Sequence, residues 1–149
     1  MKKGIFTGTF DPYTIGHHDI AQRALTIFDE LVIAVVGDNV HKSAMSPVGE
    51  RVAAIQRIYS QEPRITVKPY DGLAVDFARQ EQACAIVKGI RSVKDFEYER
   101  EMGDINRSLT GIETVLFLAT PSLAHISSSM VRELQHFGRD VSAYLPEKS

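Results

Sequence analysis

The run Leu31-Val32-Ile33-Ala34-Val35-Val36 constrains this chain more than any other feature. It is apolar throughout, with no polar residue at every second position. A strand with one solvated face alternates. An unbroken apolar run suits a parallel strand covered on both faces. The rest of the chain supplies partners and covers for such a strand. Lys3 to Thr7 reads as a first strand, and Gly16 to Phe28 as a helix with Ile20, Ala24, Ile27 and Phe28 along one face. Ser46-Pro47 opens a second helix that runs to about Tyr59, with Ser46 as N-cap and Pro47 in the first turn. Ile65-Thr66-Val67 is a strand and Leu73 to Gln80 a short helix. Ala85-Ile86-Val87 is the fourth strand and ends in a cationic loop, Lys88-Gly89-Ile90-Arg91. A helix over Asp95 to Leu109, a fifth strand over Thr114 to Leu118, and a helix from Met130 to Phe137 capped by Ser127-Ser128-Ser129 complete the pattern. Strands alternating with helices predict an α/β fold, a Rossmann-like five-stranded parallel sheet with helices on both faces. No repeat, low-complexity tract or linker interrupts residues 1–149, which read as one domain.

In such sheets ligands bind beyond the carboxyl ends of the strands. The loops predicted there carry Thr9 to His17, Lys42, Lys88 to Arg91, and Ser127 to Ser129. Their convergence on one edge says more than any one motif. The first loop, Thr7-Gly8-Thr9-Phe10-Asp11-Pro12 followed by Gly16-His17, joins a strand to a helix start, the arrangement that offers backbone N–H groups to a phosphate. Gly8 and Thr9 are small enough for close approach, Thr9 adds a hydroxyl, and His17 is placed to donate to a phosphoryl oxygen. A plain turn with a solvated histidine is the alternative, and Asp11-Pro12 reads as shaping that turn. No Gly-Lys-Ser/Thr follows the glycines, and the spacing is not G-x-G-x-x-G, so neither a Walker loop nor a dinucleotide fingerprint is present. Lys42, Lys88 and Arg91 are cations suited to phosphate, although a lone loop lysine is more often a solvated charge. The serine triplet offers more hydroxyls than one N-cap uses.

Gly8-Thr9-Phe10-Asp11-Pro12, Gly16-His17, Lys42, Lys88-Gly89-Ile90-Arg91, Asp95-Phe96-Glu97-Tyr98-Glu99, Asn106-Arg107 and Ile126-Ser127-Ser128-Ser129 resemble, in this order, the motifs of bacterial phosphopantetheine adenylyltransferases of the nucleotidylyltransferase superfamily. Tyr144-Leu145-Pro146 looks like the Phe-Leu-Pro ending of that family, so the resemblance spans nearly the whole chain. It implies that ATP and 4′-phosphopantetheine give dephospho-coenzyme A and pyrophosphate, the penultimate step of coenzyme A synthesis. It also implies Mg²⁺, direct in-line attack without a protein nucleophile, and a homohexamer. Carried over, Thr9 and Lys42 hold the attacking phosphate, His17 stabilises the transition state at the α-phosphate, and Lys88 sits near the phosphates of both substrates. Thr9, Phe10, His17, Gly89, Ile90, Arg91, Glu99 and Leu123-Ala124-His125-Ile126-Ser127-Ser128-Ser129 bind ATP, while Leu73, Ala74 and Asn106 line the pantetheine side. Three positions depart from the family pattern: Lys88 stands where arginine is more common, Ile15 where asparagine is usual, and Pro121 to His125 lack an aromatic residue found in some relatives.

A net charge of -2 gives no electrostatic footprint for nucleic acid or an anionic membrane. No apolar run is long enough to span a bilayer, no secretory leader precedes the first motif, and cytoplasmic residence is expected. The one cysteine, Cys84, reads as a buried strand residue. Two other functions compete: a nucleotidylyltransferase with a different phosphate acceptor such as nicotinamide mononucleotide, and a non-catalytic adenine-nucleotide sensor. The Lys88 to Glu99 stretch disfavours the first, and joint retention of His17 and Lys42 disfavours the second.

Overall fold

A computed structural model describes residues 1–37 and 46–147. Ten regular elements follow one another: β1 (Lys3–Gly8), α1 (Ile15–Ala24), β2 (Glu30–Val36), α2 (Val48–Ile58), β3 (Ile65–Tyr70), α3 (Ala74–Gln80), β4 (Ala85–Ile90), α4 (Val93–Thr110), β5 (Glu113–Leu118) and α5 (Ser128–His136). The strands form one sheet in the order β3-β2-β1-β4-β5, and every pairing is parallel. Strand order therefore reverses between β1 and β4, and the crevice beyond their carboxyl ends is where such a sheet receives a ligand.

Burial on both faces explains the apolar run. Leu31, Ile33 and Val35 of β2 point to one side, packed with Phe6 and Val87 against Ile20, Ala21 and Ala24 of α1 and Ile55 of α2. Val32 and Ala34 point to the other side, with Ile5 and Ile86, against Val75 and Ala78 of α3. The α4 helix covers the β4–β5 end of that second face. Among the described residues no helix is long and apolar enough to cross a membrane.

Four expectations need correction. The first helix stops at Ala24, where i→i−3 bonds from Thr26 and Ile27 tighten the chain and bring Phe28 into the core. β3 continues past Val67 to Tyr70; as an edge strand it tolerates Pro69, which has no N–H to pair. Ser46 does not cap α2: Pro47 is the N-cap, and Ser46 instead donates its N–H to Asp11 Oδ2 at 3.0 Å. Cys84 is exposed, because it precedes β4 at the open amino end of the sheet.

Candidate active site

β4 runs on to Ile90, so Lys88 and Gly89 belong to a strand and not to a loop. Gly89 serves packing: a Cβ there would come within 3.0 Å of Ile20 Cγ1 on α1. Lys88, one position earlier, projects to the opposite side. Beyond the ends of β1 and β4 lies a cavity of about 700 Å³, within the size range of small-molecule sites.

Three helices begin around this cavity: α1 after β1, α4 after β4, and α5 after β5. The first turns of α1 and α5 hold no acidic residue, so the partial positive charge of those N-termini is not offset by an internal anion. Position and field both favour a bound anion.

The start of α1 holds His17. Thr14 is the N-cap, and its Oγ1 accepts from the His17 N–H at 3.4 Å. In return the Thr14 N–H donates to His17 Nδ1 at 2.9 Å. This is a capping box in which histidine occupies the N3 position usual for Glu or Gln. The bond makes Nδ1 an acceptor and leaves Nε2–H as the ring's donor toward whatever occupies the cavity. Aromatic rings enclose the imidazole: Tyr13 stacks on it with centroids 5.3 Å apart, and Phe10 meets it edge-on at 5.0 Å. Phe10 adopts φ 53°, a left-handed conformation rare for a bulky residue, with its ring wedged among Phe6, Tyr13 and His17. Gly8 makes room for that ring, since a Cβ there would lie 2.9 Å from it.

Burial, then Arg91 and Lys88, lowers the His17 pKa to about 4, so the ring is neutral at pH 7. The folded value lies below the ordinary 6.5, so the unfolded chain takes up the proton first as pH falls. The stabilisation is complete above about pH 6.5 and is lost between there and about pH 4, amounting to roughly 3 kcal/mol at most. Chemical denaturation at pH 7 and pH 4.5 is expected to show wild-type protein losing about 2 kcal/mol more than His17→Gln. Equal losses would contradict this account of the ring.

Two cations of the cavity, Lys88 and Arg91, are held by carboxylates. Lys88 Nζ lies 3.4 Å from Glu99 Oε2 and donates to the Thr7 carbonyl at 3.4 Å. Arg91 Nε lies 3.9 Å from Asp95 Oδ2, which also accepts the Arg91 N–H at 3.0 Å. All three serines have partners within the chain. Ser127 Oγ caps α5 by accepting the Met130 N–H at 3.1 Å, and Ser128 Oγ donates to the Pro12 carbonyl at 2.7 Å. Ser129 Oγ accepts from Arg132 Nη2 at 3.2 Å.

Thr9, Phe10, His17, Lys88, Gly89, Arg91, Glu99, Leu123, Ile126 and the three serines thus line one cavity. Ile90 is buried and His125 exposed, and neither lines it; Ala124 is also outside the wall. Leu73 at the exposed N-cap of α3, Ala74 beside it, and Asn106 on α4 lie away from it, on two helices that touch each other. Lys42 falls outside the described residues.

Sequence reasoning passed over several residues that build the site. Arg132 lines the cavity and donates to the Asp11 carbonyl. Its place four residues after Ser128, on the same helix face, was the available signal. Asp19 lines the wall too, accepting from Thr120 Oγ1 at 2.8 Å and Arg23 Nη1 at 3.2 Å. Arg51 is buried beneath the first loop and donates to the carbonyls of Ser46, Thr9 and Val36 at 2.8 to 2.9 Å. Nothing in the pattern of its helix marks that arginine as buried. Asp11 keeps its turn role: its carboxylate meets Ser46 and its carbonyl Arg132.

Comparison with known proteins agrees with this architecture. The cytidylyltransferase-like family model matches residues 5–134. Phosphopantetheine adenylyltransferase of Phocaeicola vulgatus is 51% identical over 147 residues, covering 99% of this chain and 97% of the relative. The proteins of the same name from Porphyromonas gingivalis and Symbiobacterium thermophilum are 52% and 46% identical, covering 99% and 98% of this chain and 97% and 90% of their own lengths. The chain belongs to the phosphopantetheine adenylyltransferase family, nucleotidyltransferases with a cytidylyltransferase-like domain.

Proposed function

We propose that this enzyme transfers the adenylyl group of ATP to 4′-phosphopantetheine, releasing pyrophosphate and forming dephospho-coenzyme A. The observation that carries the chemistry is a neutral His17 whose Nε2–H is its free donor, set among anion-seeking helix starts and three cations. The choice of acceptor rests on the relatives that share half of the chain's residues.

In this reading the attacking phosphate is held by Thr9 and Lys42, with the α-phosphate of ATP between it and the start of α5. His17 donates from Nε2 to a non-bridging α-phosphate oxygen. It gains strength as charge builds there, so it favours the transition state over bound substrate. Lys88 and Arg91 are positioned for the phosphates, and Glu99 shares Lys88 with them. Thr9, Phe10 and the segment from Leu123 to Ser129 form the remaining ATP contacts. Leu73, Ala74 and Asn106 receive the pantetheine arm. No side chain attacks phosphorus: catalysis is positioning and charge stabilisation.

Among the described residues no group of three or more His, Cys, Asp or Glu side chains is arranged to hold a metal ion. Asp19, Asp95 and Glu99 equal in number the cations Lys88, Arg91 and Arg132 on the described wall. Neither the donor set nor the charge balance makes a protein cage for Mg²⁺, so in this proposal the ion enters on the triphosphate as part of the substrate.

The proposed assembly is a homohexamer in the cytoplasm. The α4 helix supports an oligomer: it has no buried residue, and Val93, Phe96, Tyr98, Ile105 and Leu109 stand exposed along it. A second copy of the chain would cover them.

Formation of dephospho-coenzyme A from the two substrates tests the reaction. The route is tested with ATP carrying a chiral α-thiophosphate. One in-line displacement inverts configuration at phosphorus; retention would require a covalent enzyme intermediate and contradict the mechanism.

A further inference from the structure

Behind His17, outside the cavity wall, three polar side chains are linked. The Tyr13 hydroxyl lies 2.7 Å from that of Tyr59, which lies 2.8 Å from His18 Nδ1. Tyr13 also donates, at 3.4 Å, to the His17 carbonyl. Tyr13 and Tyr59 are buried, and their rings meet edge-on with centroids 6.0 Å apart. Tyr59 follows the last residue of α2, so the chain of bonds runs from the start of α1 across to α2 and back to the next residue of α1. His17 lies within that closed loop.

We propose that Tyr13, Tyr59 and His18 are positioning residues for His17, holding its ring plane through the Tyr13 stack without touching either substrate. The inference rests on the role assigned to His17 above. Other contacts restrain the imidazole only in part. Thr14 anchors one edge, at Nδ1, and Phe10 meets the ring edge-on. Neither stops rocking about the edge bond. The near-parallel Tyr13 ring, 26° from the imidazole plane, closes one face. Tyr13 can serve as a fixed wall only if its own far end is held, and the 3.4 Å bond to the His17 carbonyl is too long to do that firmly. The short bond to Tyr59 does so, and His18 in turn orients Tyr59. Phenylalanine would fill the same space, so the hydroxyls serve placement and not volume. Placement matters because a shift of about 1 Å at a reacting group costs on the order of a hundred-fold in rate.

Tyr13→Phe, Tyr59→Phe and their combination test the relay, alongside His17→Ala. Each single Phe variant is expected to lower kcat by about ten-fold with KM for ATP within about two-fold. The double variant should lose no more than the worse single one, because both break one chain. The imidazole ¹⁵N resonances of His17 should move in each variant, a change that loss of stability alone would not cause. Wild-type kcat and unchanged His17 resonances in both single variants, with His17→Ala inactive, would overturn the relay and leave the catalytic reading intact. Retained turnover in His17→Ala would instead remove the catalytic reading, and the relay with it.

Discussion

Replacing His17 by alanine is expected to lower kcat by about a thousand-fold while the five-stranded sheet still forms. The rate loss follows from the one donor that the capping box leaves free. With Nδ1 engaged by the Thr14 N–H, Nε2–H is available to the α-phosphate, and alanine removes it. The same change opens the capping box and costs about 1 kcal/mol of stability. The two effects separate in His17→Gln, where the amide oxygen can again accept from Thr14. Stability should recover and turnover should not. KM for 4′-phosphopantetheine should change little in either variant, because Thr9 and Lys42 are assigned the acceptor phosphate. Steady-state kinetics with urea denaturation checks all three expectations. Turnover within ten-fold of wild type in His17→Ala would remove the residue from the mechanism.

Arg51→Met is expected to destabilise the protein by at least about 3 kcal/mol. Methionine is close in length and apolar, so the loss is chiefly in hydrogen bonding. Arg51 is 3% exposed and serves the carbonyls of Ser46, Thr9 and Val36. The three bonds are part-buried, and each carbonyl left without its donor away from water costs about 1–3 kcal/mol. Arg51→Lys should rescue little, because a single ammonium cannot reach three carbonyls in the directions that a planar guanidinium can. Thr9 hangs on one of those bonds, so the surviving fraction of Arg51→Met should also show a raised KM for the acceptor. Urea midpoints measure the first effect and acceptor titration the second. A loss under about 1 kcal/mol would mean that the loop is held by other means.

The sheet was legible because its signals are local. An unbroken apolar run such as Leu31 to Val36 has few alternatives to a doubly covered parallel strand. The gathering of phosphate-seeking residues at one edge followed from that, since alternating strands and helices put their connections there. What was not legible depends on contacts between distant segments. Glycine between the cations Lys88 and Arg91 suggests a bend, but pairing with β5 at Lys88↔Leu116 and Gly89↔Phe117 keeps Lys88 and Gly89 in the strand. Cys84 sits among Ala83, Ala85 and Ile86, and an apolar neighbourhood alone does not show that the residue just before the strand is open to solvent. Ser46 has the residue type of an N-cap, but α2 starts one position later, with Pro47 at the cap and the Ser46 N–H tied to Asp11, 35 positions away. The serine triplet offers more hydroxyls than one N-cap uses, and the sequence does not show that Ser128 meets the Pro12 carbonyl and Ser129 the Arg132 guanidinium. The sequence alone does not show which side of α4 is covered, and the fold leaves Val93, Phe96, Tyr98, Ile105 and Leu109 exposed.

The identity of the phosphate acceptor is tested by comparing candidates side by side. Pyrophosphate release from ATP is measured with 4′-phosphopantetheine, with nicotinamide mononucleotide, and with no acceptor, at equal concentrations. Rapid release is expected with 4′-phosphopantetheine, matched mole for mole by dephospho-coenzyme A, and only background release in the other two. Preference for nicotinamide mononucleotide, or no release with any acceptor despite ATP binding, would contradict this assignment of the acceptor.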